Sequence, residues 1–250
     1  MAAGGKQLLG QDFAGALSSF DAALALEPDS APKHWQRAIV LYYLKNYLAA
    51  AEQFKCNMRI NGNDVEEVVW RAMCDFRRAG VAEGRARLLV CGDDKRIPMK
   101  EILGLFAGTS TVGDVLAAAR AAPEAANRRL TAEAYGNFYC GLFLETQGLA
   151  GAARPFFTAA AEAPSLDYMG KLMVMHAKQA ICHSRVIVGG WQLSAGHHDA
   201  FDRDKALATL SEYASFGMTT LDMGGLFTSL KLTCCCTIPI TLPWGGMVAA

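Results

Sequence analysis

The stretch "DFAGALSSFDAALALEP" at 12–28 returns as "NYLAAAEQFKCNMRING" at 46–62. Phe13 matches Tyr47, Ala16 matches Ala50, Phe20 matches Phe54, Leu24 matches Met58 and Leu26 matches Ile60, every pair 34 residues apart. A fixed period of this size marks a chain built from repeated supersecondary units. The matched positions follow helical spacing, so large and small side chains alternate along one stripe. Ala16 and Ala50 let a neighbouring helix approach closely.

Before the second copy, "SAPKHWQRAIVLYYLKN" (30–46) places Trp35, Ala38, Ile39, Tyr42 and Tyr43 on one helical face. Ser30 is read as the cap of that helix, with Pro32 in its first turn. The unit is therefore a helical hairpin. A further first helix is predicted over 64–79, with Asp64 capping and Trp70 in the part of Trp35, and a shorter partner over 82–91. A later hairpin spans 137–164, with Pro155 in about the first turn of its second helix, where its cost is small. Between them, 93–108 and 111–130 read as helices without the repeat pattern, the second opened by a Thr111–Asp114 capping box. The segment 165–185 supplies a last helix to cover the open end of the stack, its methionines at 169–175 filling core.

These residues resemble the tetratricopeptide repeat family. Phe13, Ala16, Phe20, Ala23 and Pro28 match the second helix of one copy; Trp35, Tyr42, Tyr47, Ala50 and Phe54 match most of the next, with one residue fewer than the family pattern at Lys45-Asn46. Gly141, Gly148, Ala153, Phe157 and Ala160 match in the later pair. Ile39 stands where the family has Gly, Asn57 replaces Ala, and Gly62 replaces Pro. The resemblance implies a solenoid whose inner groove, lined by first helices, holds a peptide or partner helix. Its candidates here are Lys33, Gln36, Tyr43, Arg71 and Arg78. Arg71 and Arg78 share a face and suit an acidic peptide or C-terminal carboxylate; alternatively they are surface residues paired with Asp75.

Composition narrows the function classes. Hydrophobic residues make up 52% and charged ones 19%, as in a folded chain. The 24 basic residues balance 24 acidic ones, so no nucleic-acid partner is expected. Five of the eight cysteines are isolated in apolar surroundings and read as reduced thiols. Cys234-Cys235-Cys236 lacks the partner ligands of a metal site, and no metal is expected. The N-terminus has no export or transit pattern, which makes the expected location intracellular, cytoplasmic by default, with an organelle open if the N-terminus is incomplete. The uncharged run from Leu232 to Ala250 is interrupted by Pro239, Pro243, Gly245 and Gly246, so a membrane anchor is not expected.

After Arg185 the period changes: "VIVGGWQL" (186–193) reads as a strand, 203–216 as a helix, and "MTTLDM" (218–223) as a second strand. Val186 to Gly224, with "GGWQLS", "YASFG" and "TTLDM" in order, resemble the start of the aldo-keto reductase family. That family is a (β/α)8 barrel reducing carbonyls with NADPH through Asp, Tyr, Lys and His. Asp222 matches the family's Asp, and Trp191 stands among first-strand residues near the nicotinamide. The Tyr belongs five residues after Asp222, but position 227 is Phe, which has no hydroxyl to protonate a carbonyl oxygen. The 65 residues from Val186 onward cannot make a barrel that needs about 250, so no cofactor is expected in this chain. His197-His198 is read as an exposed polar loop, and the break after Gly225 as the mark of a truncated or alternatively spliced product.

The expected organisation is mainly α: a helical repeat array over 1–184, a reductase-like strand-helix-strand fragment over 185–225, and an irregular uncharged tail over 226–250. The expected function is a non-catalytic adaptor holding a protein or peptide partner. The alternative is a truncated product of an NADP-dependent aldo-keto reductase.

Overall fold

A computed structural model of the chain describes residues 2–123, 128–165 and 167–182, together with three short strands at 187–189, 220–222 and 237–239. It is mainly helical. The helices are α1 (Ala2–Leu9), α2 (Phe13–Leu26), α3 (Trp35–Tyr43), α4 (Tyr47–Asn57), α5 (Val65–Ala79), α6 (Val81–Ala86), α7 (Met99–Ala107), α8 (Val112–Arg120), α9 (Arg128–Thr146), α10 (Ala150–Glu162) and α11 (Tyr168–Cys182). Two compact units divide the chain: Met1–Gly148 with Ala152–Lys178, and Leu149–Gly151 with Gln179–Ala250.

The 34-residue echo is carried into geometry. Asp12 and Asn46 cap α2 and α4, their side chains accepting from the backbone N–H of Gly15 and Ala49. Each cap follows a residue in the left-handed region, Gln11 at φ 65° and Lys45 at φ 61°. Gly148 before α10 does the same at φ 81°. Five residues past each of these, Ala16, Ala50 and Ala153 are fully buried, and four further on Phe20, Phe54 and Phe157 are too. Seven residues before each turn stands a small residue. A Cβ on Gly4 would come within 2.9 Å of the Phe20 ring, and one on Gly141 within 2.6 Å of Phe157. The third such position is Ala38, buried like the others. The turn at Lys45-Asn46 therefore has the same length as the other two.

Consecutive helices pack on one another through α1 to α6, and α7, α8 and α9 continue the contacts. Trp70 of α5 sits at the centre, stacked on Phe54 and edge-on to Tyr42, its indole N–H donating to Tyr139 of α9 at 3.1 Å. Such aromatic pairs add about 0.5–1.5 kcal/mol each beyond the area they bury.

Several boundaries differ from the sequence expectation. Ser30 does not cap α3: Pro28–Lys33 wind a 3-10 turn, and the Ser30 hydroxyl is spent inside it on the Glu27 carbonyl and His34 Nε2. The helix starts at Trp35. The helix predicted over 82–91 is α6, which stops at Ala86; beyond it Gly92 N–H donates to the Gly62 carbonyl at 2.9 Å, drawing the chain across instead of along the helix. Pro155 is the sixth residue of α10, because that helix begins at Ala150, and it forfeits one intrahelical donor. The Asp64 cap and the Thr111–Asp114 capping box are both formed.

In the other unit, β1 (Ile187–Gly189) pairs parallel with β2 (Thr220–Asp222), Val188 opposite Leu221. β3 (Thr237–Pro239) pairs antiparallel with β2. The tail is therefore not wholly irregular, since 237–239 takes up the exposed edge of β2, whose unpaired N–H and C=O groups favour a further strand.

Candidate binding site

The five groove candidates do not converge. Lys33 is exposed at the end of the 3-10 turn. Gln36 and Tyr43, seven apart on α3, meet α11: the Gln36 side chain hydrogen-bonds Tyr168, and Tyr43 Oη lies 2.8 Å from His176 Nδ1. Phe13 stacks on Tyr43 with ring centroids 4.9 Å apart. Tyr168 in turn donates to the Gly5 carbonyl at 2.9 Å and meets Trp35 edge-on. Helix α11 thus lies along the face on which a peptide is expected. Arg71 and Arg78 both turn to buried Asp75, at 3.7 and 3.3 Å, and Arg71 also donates to the Arg87 carbonyl at 2.9 Å, fastening α5 to the end of α6.

A cavity of about 230 Å³ opens between the starts of α3 and α5. Trp35 and Ile39 of α3, Phe54 of α4, Trp70 of α5 and Met169 of α11 form apolar walls. Asn61 is exposed at the mouth, and Asp64, Glu66 and Glu67 complete the lining. The three acids are brought here by one local rule: carboxylates suit the N-cap and first turn of a helix, where backbone N–H groups are unpaired. Asp64 is the cap and Glu66 and Glu67 stand in that first turn.

The three carboxylates differ in what holds them. Glu66 accepts from Tyr139 Oη and from Arg96, each at 2.6 Å, and Arg96 also binds Asp64 and Asp94 at 2.5 and 2.6 Å. Burial pushes the Glu66 carboxyl up to about 7 against the pull of Arg96. Glu67 is 7% exposed and accepts at Oε2 from Asn57 Nδ2 at 3.2 Å, with no cation paired to it among the described residues. Burial takes it up to about 8. Behind it runs a polar line from the half-buried Arg37 inward: Arg37 Nη1 to Gln53 at 3.1 Å, Gln53 Nε2 to Asn57 at 2.9 Å, then Asn57 to Glu67.

The sequence offered a signal for this site that periodicity passes over. Asn57 stands out there only as a departure from Ala, and "DVEE" only as a helix start. Two polar residues on the buried stripe of α4, Gln53 and Asn57, require partners, and an acid at the start of the next helix meets that need. His176 likewise reads as part of a methionine-rich filler, yet it is buried against Tyr43, Phe138 and Phe157.

An acidic, aromatic-walled cavity attracts cations and repels anions. Among the described residues no cluster of His, Cys, Asp and Glu could hold a metal ion. Cys56, Cys74, Cys91 and Cys140 are free thiols, Cys74 and Cys140 buried, and burial pushes Cys140 up to about 12. No helix among the described residues is long and apolar enough to cross a membrane.

Asp222 ends β2, whose backbone position is given, while Trp191, His197, His198, Phe227 and the triplet at Cys234 lie outside the described residues. No known protein family matches the chain, and no curated protein sequence matches it.

Proposed function

We propose that the helical unit is a non-catalytic adaptor of the tetratricopeptide kind, which holds a peptide or partner helix on its first-helix face, and that the residues after Arg185 are a strand-helix-strand portion of an aldo-keto reductase-like barrel. The observation that carries this reading is the threefold recurrence of one hairpin geometry: Gly4, Gln11, Ala16 and Phe20; Ala38, Lys45, Ala50 and Phe54; Gly141, Gly148, Ala153 and Phe157. Repeats of this kind bury their faces only by stacking, and the face left over serves for binding. With α11 covering Gln36 and Tyr43, the accessible part of that face is the mouth beside Trp35 and Asp64.

Selection of a random peptide library on the full chain tests the proposal. Enriched peptides should bind saturably in the micromolar range, and NADPH fluorescence should show no saturable binding. Micromolar affinity for NADPH without any peptide enrichment overturns the adaptor. The second reading, a part of an NADP-dependent aldo-keto reductase, is favoured by one observation, the parallel pairing of Gly189 with Asp222 across the two strands.

A further inference from the structure

The cavity between α3 and α5 joins aromatic walls to a buried carboxylate. Its volume of about 230 Å³ exceeds the roughly 150 Å³ that admits a benzene ring in an engineered cavity. Two tryptophans, Trp35 and Trp70, line it, and aromatic rings are side chains that hold cations. Glu67 lies on its wall, more than nine-tenths buried and without a cationic partner among the described residues. Buried acids are ordinarily paired or held neutral, and a neutral one remains free to take a cation that enters. The neighbouring Asp64 and Glu66 share Arg96, which the surrounding loop supplies, so cationic pairing is available in this region and stops short of Glu67.

From these observations we infer that the cavity receives an alkylammonium group, its aliphatic stem between Trp35 and Trp70 and its charged head on Glu67. The inference rests on the adaptor reading for the peptide form of that ligand, a lysine side chain; a free diamine carries the same chemistry. A compact ammonium suits a carboxylate whose Oε2 is already taken by Asn57, whereas the guanidinium fork needs both oxygens. Met169 of α11 closes the far wall, so a short unbranched stem fits better than a bulky one.

Burial favours the protonated form of Glu67, holding its carboxyl up to about 8. The charged groups facing it are the α5 cap Asp64 and Glu66 of α5 with their partner Arg96; the lining residues from α3, α4 and α11 are uncharged. An entering ammonium displaces that proton, and binding tightens as pH rises from 6 toward 8.

Calorimetric titration of the full chain tests the site with four probes: 1,5-diaminopentane, 1-pentanol, an acetylated glycine-flanked lysine pentapeptide, and the same peptide with norleucine for lysine. Each ammonium probe should bind at least about tenfold more tightly than its neutral counterpart. Glu67→Gln should remove that preference, and Met169→Trp, which fills the cavity without touching a carboxylate, should weaken both ammonium probes; circular dichroism should stay unchanged in each. Equal affinity for charged and neutral probes overturns the inference, as does an unaltered preference in a folded Glu67→Gln protein or no saturation by either ammonium probe at millimolar concentration. Library peptides that bind without dependence on lysine sink the alkylammonium site and leave the adaptor standing. Diamine binding without any peptide binding does the reverse.

Discussion

Tyr43 and His176, 133 positions apart, are joined by a hydrogen bond of 2.8 Å between Tyr43 Oη and His176 Nδ1. With the hydroxyl donating, His176 carries its proton on Nε2, 3.6 Å from Glu145 Oε2 of α9. Burial holds the imidazole below its ordinary 6.5, and Arg77 of α5 adds to that while Glu145 opposes it. A base depressed in the folded state contributes stability above its unfolded pKa that is lost as pH falls through the region below it. The stability that the wild-type chain holds over His176→Gln should therefore shrink between pH 7 and 5, read from the urea midpoints of the two proteins. Tyr43→Phe should cost about 1 kcal/mol at pH 7 and make the segment before α11 more sensitive to protease.

Glu67 works in the opposite direction. Its carboxyl is raised from 4.5 to about 8 by burial, so its neutral form stabilises the fold below pH 4.5 and that contribution disappears as pH rises through 8. The thermal midpoint of the wild-type chain relative to Glu67→Gln should therefore fall across this window. Glu67→Gln keeps an acceptor for Asn57 and removes this ionisation, leaving the contributions of His176 and Glu66 in place.

A methyl group at Gly141 would lie 2.6 Å from the Phe157 ring, a contact that cannot persist. Gly141→Ala should destabilise by about 1–3 kcal/mol through overpacking, read from urea unfolding. Pairing it with Phe157→Leu should recover part of the loss, giving a non-additive double-mutant cycle.

Lys45 pays a backbone cost at φ 61° that Gly148, at the same step of its own hairpin, avoids. Lys45 is exposed, so little side-chain contact is lost on replacement. Lys45→Gly should raise stability by about 0.5–1 kcal/mol net of chain entropy. The same change at Leu48, inside α4, should lower it.

The hairpins were legible because their determinants are local. Phe20 and Phe54 recur 34 residues apart on stripes with the small residues that receive them, and Asp12, Asn46, Asp64 and Thr111 cap helices by hydrogen bonds within three residues. Where a long-range contact competed, local spacing misled: Gly92 reaching back to Gly62 ends the run expected to continue as α6, and 237–239 joins β2 despite its lack of strand neighbours in sequence. Arg71 and Arg78 both pair with Asp75 at the i,i+4 and i,i+3 spacings legible in the sequence, whereas the burial of Asp75 comes from packing.

By itself the sequence determined a mainly helical chain of paired helices with a change of periodicity after Arg185, since periodicity and capping act over a few residues. Tertiary structure alone decided that α11 returns to lie on Gln36 and Tyr43, and that Trp35, Trp70, Met169 and Glu67 enclose one cavity. Those partners are up to 134 positions apart. What brings them together is the burial of apolar area between helices, which depends on how the hairpins stack and leaves no periodic trace in the chain.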